Sequence, residues 1–133
     1  MDKNNIKYNC EWLVKELGNK RFDFYLPEMN TCIEFDGIQH FQIYKRYTLT
    51  EEELVKRQKF DIEKTNYCIK NKIRLLRISY IHINIINDIL ETFFEDKCML
   101  FFSSFNLYRY LIDNIKKNIN ISVLKTGVGK LKA

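Results

Sequence analysis

The sequence predicts an α/β protein built on a mixed sheet, and three observations predict it. Residues 21–26 and 31–35 are two short aromatic runs separated by Pro27-Glu28-Met29-Asn30, which reads as a β-hairpin closed by a turn. Thr50 precedes Glu51, Glu52 and Glu53, a capping residue followed by acids that suit the positive end of a helix dipole. Residues 73–80, Ile-Arg-Leu-Leu-Arg-Ile-Ser-Tyr, then form an apolar run of strand length. A strand joined through a helix to another strand gives a mixed sheet with helices packed on it.

The remaining elements follow in order. Residues 8–17 read as a short helix anchored by Trp12, Leu13 and Leu17 and stopped by Gly18. The helix that begins after Thr50 should reach about Asn71, with Leu54, Phe60, Tyr67 and Cys68 on its apolar side. Residues 83–94 form an amphipathic helix. Residues 105–117 are helical and apolar-periodic, 119–124 fit a strand, and 125–133 fit a mobile basic tail. Residues 38–49 are aromatic and carry no clear period. The domain reading is a core over 1–96, with 97–133 as an extension packed on the same domain.

Composition bounds the function. The chain has 133 residues, 46% hydrophobic, with ten Phe and eight Tyr, which is enough for one core and argues against disorder. The net charge of +5 and a pI near 9.0 favour a polyanionic partner, although charge alone is a weak sign. The four cysteines, Cys10, Cys32, Cys68 and Cys98, form no CxxC pair and have no histidine at zinc-finger spacing. They read as free thiols among apolar residues, and hence as marks of a reducing, intracellular compartment. The N-terminus is polar and no apolar run is long enough to span a bilayer, so a soluble protein is expected.

Residues 21–40 carry the chemistry. In a strand, residues two apart share a face, so Glu34 and Asp36 point one way with Cys32, while Ile33 and Phe35 take the other. The hairpin can bring Asp23 beside them. Three carboxylates on one face repel one another unless a cation intervenes, and Mg²⁺ or Mn²⁺ prefers such oxygen ligands. The ordinary alternative is a solvated strand face. The aromatic flanks Phe22, Phe24 and Phe35 argue against it, because stray carboxylates are expensive in buried strands.

Asp23, the hairpin, and Ile33-Glu34-Phe35-Asp36-Gly37-Ile38-Gln39-His40 together resemble the PD-(D/E)XK nuclease superfamily. The likeness is to a branch of small phage, bacterial and giant-virus proteins that is similar to the very-short-patch repair endonuclease and related homing endonucleases. It continues at Asp61-Ile-Glu-Lys64 and at residues 73–80, covering roughly residues 8–94. The resemblance implies a restriction-endonuclease-like core, ordered helix, β-hairpin, helix, strand, helix. It implies Asp23 and Glu34 as metal-ligand acids, with the backbone carbonyl of Phe35 completing the set. Asp36 stands where the superfamily motif has its lysine, a departure that leaves Asp36 as a further ligand or water contact.

Two groups can compensate. His40 matches a histidine of the related branch and can take or give a proton near neutral pH. Lys64 lies three residues after Asp61, on the same helix face, so Asp61 can hold a water or His40 while Lys64 offers charge to phosphate. Glu11, slightly ahead of Glu16, matches an acid used by some relatives. The packed-histidine and surface-ion-pair readings stand beside these.

The expected activity is Mg²⁺- or Mn²⁺-dependent hydrolysis of DNA, with Lys45, Arg46, Lys56, Arg57, Arg77 and the basic tail on the phosphate backbone. Arg74 and Arg77, three apart on a strand, should face opposite ways. The alternative is a catalytically inactive DNA-binding or protein-interaction module. Phe101, Phe102, Phe105 and Tyr108 suggest a homodimer interface or a private core layer. His82 and the Glu51–Glu53 run receive no role.

Overall fold

A computed structural model of the chain describes residues 6–42, 50–96, 98–117 and 124–126. Six strands form one sheet in the order β1-β2-β3-β4-β5-β6. These are β1 (Asn9–Val14), β2 (Lys20–Leu26), β3 (Thr31–Asp36), β4 (Arg74–Ser79), β5 (Leu100–Phe102) and β6 (Leu124–Thr126). The first three pair antiparallel, and β3 to β6 pair parallel, so the sheet is mixed. The connections carry helices α1 (Glu51–Lys70), α2 (Ile86–Glu95) and α3 (Arg109–Ile115).

Helix α1 starts where its cap requires. Thr50 Oγ1 accepts the Glu53 N–H, and the Glu53 carboxylate accepts the Thr50 N–H, a reciprocal capping box. The helix lies on one face of the sheet with α3, over Cys32, Leu75 and Phe102. Helix α2 covers the opposite face, over Ile33, Leu76 and Phe101. Strand β4, covered on both faces, is buried from Leu75 to Ser79, which accounts for its nearly unbroken apolar run. No helix among the described residues is long and apolar enough to cross a membrane.

Several expectations need correction. Residues 9–14 are strand β1, not a helix, and pair antiparallel with β2. Gly18 does act as a stop, at φ +68, but what it stops is a single 3₁₀ turn, Lys15–Leu17. After Asp96 the expected helix is present as α3, but β5 and β6 also continue the sheet beyond β4, so the region is more than a helical segment added to the core. Of the two readings of the aromatics, the core layer holds for Phe101, Phe102 and Tyr108, which are buried in this chain's own core, while Phe105 is exposed. The amphipathic helix expected from residue 83 begins at Ile86, after a 3₁₀ stretch, Tyr80–Ile85. Lys45 and Arg46, expected on the phosphate backbone, and residues 127–133 of the expected tail lie outside the described residues.

One irregularity positions the site. In β2, Phe22 packs on the α1 side, whereas Phe24 and Leu26 pack on the α2 side. Regular alternation would put all three on one face. The switch falls at Asp23. Opposite it on β1, between the pairs Cys10–Phe24 and Trp12–Phe22, Glu11 has a left-handed backbone, φ +52. Both strands therefore change face at the same level.

Candidate active site

The β2–β3 ladder ends at the Phe24–Ile33 pair, one step short of Asp23 and Glu34. Beyond it, carboxylates take over from main-chain carbonyls. The Phe35 N–H donates to Asp23 Oδ2 at 2.7 Å, and the Asp23 N–H donates to Glu34 Oε2 at 3.2 Å. Two acids are thereby fixed where the strands separate.

Glu34 is 4% exposed. Its Oε1 accepts from Lys64 Nζ of α1 at 2.6 Å, and that ammonium also lies 5.3 Å from the Phe22 ring centre. Burial raises the Glu34 carboxyl, Arg77 and Lys64 pull it back, and Asp23 and Asp36 push it up again, to about 7 in all. Helix α1 thus supplies a cation to the Glu34 carboxylate.

Asp36 and Asp61 lie deeper, around Arg77. Arg77 Nη1 donates to both oxygens of Asp36, at 3.0 and 2.9 Å, and lies 3.6 Å from Asp61 Oδ1. Arg77 is fully buried; burial disfavours its charge, but Asp36, Asp61 and Glu34 more than compensate and raise its pKa well above the ordinary value. The expectation of Arg77 on DNA phosphate is therefore corrected: its guanidinium is enclosed among carboxylates. Arg74 does face the other way, where it donates to the carbonyls of Phe93, Asp96 and Cys98 at the end of α2.

His40 sits at the end of a 3₁₀ turn, Ile38–His40, closed by its own N–H on Gly37 O at 3.0 Å. Gln58 of α1 donates to the His40 carbonyl at 2.9 Å and ties the turn to the helix. The imidazole Nδ1 meets Asp61 Oδ2 at 2.8 Å and Asp36 Oδ1 at 3.7 Å. Nε2 makes no hydrogen bond among the described residues. Burial opposes the ionised Asp61, but Arg77, together with hydrogen bonds from His40 and from Tyr110 at 2.7 Å, holds its carboxyl below the ordinary range.

Glu34, Asp36, His40, Asp61 and Lys64 thus meet on the α1 side of the sheet, and Asp23 is tied to them through its N–H on Glu34 and its carboxylate on the Phe35 N–H. Glu11 is exposed on β1, and Glu16 lines a separate cleft of about 660 Å³ with Lys20, Asn66 and Lys70. Lys56 is exposed; Arg57 is half-buried, and its Nε has no partner among the described residues. His82 contacts Ser79 and Ser103 at 3.0 and 3.2 Å, and burial lowers its pKa. Sequence reasoning missed Arg77's buried role and both tyrosines: Tyr108 donates to Asp36 Oδ2 at 2.8 Å, as Tyr110 does to Asp61. The available signal was chemical, since three inward carboxylates need more donors than Lys64 and His40 supply.

One group among the described residues has the geometry to take a cation. Asp36, His40 and Asp61 offer ligand atoms all within 4.8 Å of one another. Arg77 already brings positive charge to that group. Asp23 and Glu34 lie beside it as a pair of carboxylates, and Glu34 already has Lys64 Nζ at 2.6 Å. No protein-family model, curated protein or solved structure matches the chain.

Proposed function

We propose that this chain is a divalent-metal-dependent nuclease that hydrolyses DNA phosphodiester bonds on a core of the restriction-endonuclease type. The carrying observation is that Asp23 and Glu34 are bonded to each other at the parting of β2 and β3, with Glu34 on the sheet face that also holds an imidazole engaged by Asp61. The resemblance of Asp23 and Glu34 to the metal-ligand acids of the PD-(D/E)XK superfamily, and of His40 to a histidine of one of its branches, supports the same reading.

Asp23 and Glu34, with the Phe35 carbonyl, would hold Mg²⁺ or Mn²⁺, which when bound supplies Lewis acidity to the phosphate and acidity to water. The chain's own groups do the rest. Asp61 keeps the Nδ1 proton of His40 engaged, so Nε2 is the nitrogen that accepts a proton from attacking water or returns one to the leaving oxygen. Lys64 offers its ammonium to phosphate in place of the missing motif lysine. Lys56 and Arg57 of α1 contact the flanking backbone and give salt-sensitive affinity.

The test is cleavage of supercoiled plasmid with Mg²⁺ or Mn²⁺ by the wild-type chain and by the Asp23→Ala, Glu34→Ala double variant. Cutting by the wild type alone supports the proposal, and equal cutting by both removes it. One observation favours a second reading, a non-catalytic binding module: Lys64 and Arg77 already neutralise Glu34 and Asp36. That reading predicts no Glu34-dependent heat on calorimetric titration with Mn²⁺.

A further inference from the structure

Two donors converge on a single oxygen beneath the histidine. His40 Nδ1 and Tyr110 OH lie 2.8 and 2.7 Å from Asp61 Oδ2, while Arg77 Nη1 stands 3.6 Å from the other oxygen. A carboxylate held from both ends cannot rotate freely, and its plane sets the plane of the imidazole bonded to it. The Tyr110 ring also meets the Phe41 ring edge-on at 6.3 Å, and Phe41 directly follows His40. Tyr110 therefore touches both the partner of the imidazole and the turn that carries it.

We propose that Tyr110, from α3, is a positioning residue that fixes Asp61 and thereby aims His40. The assignment rests on the nuclease reading for its kinetic consequence, not for its geometry. The hydroxyl suits this role, because burial and the neighbouring Asp61 raise its pKa and keep it a donor across the working pH range. Tyr108 makes the matching contact to Asp36, so α3 addresses each of the two carboxylates around Arg77. Residues beyond Asp96 would then be part of the active site's support.

The test is Tyr110→Phe, which deletes only the hydroxyl. The chain has two histidines, so the Nδ1 proton of His40 can be followed by NMR of the metal-free protein. The expected result is a folded variant whose Nδ1 proton signal broadens or moves upfield. Its kcat for plasmid cleavage should fall about tenfold at unchanged KM. An unchanged Nδ1 signal overturns the proposal, whatever the rate does. A changed signal with wild-type kcat also overturns it, since His40 would then need no aiming. If the wild type cuts no DNA, the nuclease reading fails by itself, and the NMR arm still decides whether Tyr110 orders the His40–Asp61 pair. Tyr110→Met fills similar space without a hydroxyl and repeats both readouts should phenylalanine pack badly.

Discussion

Lys64 Nζ and Glu34 Oε1 stand 2.6 Å apart, joining helix α1 to the central strand β3 across a carboxyl whose burial, outweighing its nearby cations, leaves it at about 7. The pair makes stability depend on pH in a definite direction. The folded Glu34 binds its proton more tightly than the unfolded chain does, whose carboxyl titrates near 4.5. Between about 4.5 and 7 the native state holds the extra proton, so Glu34 makes stability fall as pH rises through that window. Glu34→Gln should flatten this slope and raise the melting temperature at pH 8 by roughly 5 °C. Thermal unfolding at several pH values measures it, and an unaltered slope would remove Glu34 from the explanation.

Arg77 should be the costliest side chain to lose. It is fully buried between Asp36 and Asp61, and Arg77→Met leaves two carboxylates without their cation. Breaking a buried pair in this way costs about 3–5 kcal/mol. Adding Asp36→Asn to Arg77→Met should recover part of the loss, because the two residues share one interaction. Urea denaturation of both variants checks the sign and the recovery.

A chain ended after Asp96 should not fold. It would lose β5, which covers one edge of β4, and α3, whose Leu111, Ile112 and Ile115 are buried in the core shared with α1. It would also lose Tyr108 and Tyr110 from Asp36 and Asp61. Circular dichroism and solubility of the truncated chain test this; a stable, cooperatively melting fragment would show that residues 1–96 stand alone.

His40→Ala should lower cleavage by roughly 10²–10⁴-fold if the imidazole transfers the proton. Affinity for Mn²⁺ measured by calorimetry should stay close to wild type, because Asp23 and Glu34 remain. A parallel loss of metal affinity would move His40 into the ligand set with Asp36 and Asp61.

Much of this arrangement is legible in the sequence, and the failures have physical causes. The hairpin, the Thr50 capping box and the facing of Glu34 against Phe35 follow from turn chemistry, local hydrogen bonds and strand period, all short-range effects. Residues 9–14 read as a helix because β1 breaks its alternation at Glu11, where the left-handed backbone changes the face of the strand. With the period of two interrupted, Trp12, Leu13 and Leu17 resemble a helical stripe. Strand β5 is hidden because Leu100, Phe101 and Phe102 are buried on both faces and show no period at all. The opposite facing of Arg74 and Arg77 is readable from parity, but what each meets is not. Asp36 and Tyr108 are 72 residues apart, and no local pattern announces a contact of that range.

On the proposed reading, Asp23 and Glu34 are a divalent-cation site beside an aimed histidine, and everything else about the chemistry follows from that pair. Anomalous diffraction from crystals grown in Mn²⁺ tests it most directly. The predicted result is a manganese peak between the Asp23 and Glu34 carboxylates, absent in crystals of Glu34→Gln. Peaks confined to other carboxylates, or none at saturating Mn²⁺, would contradict it.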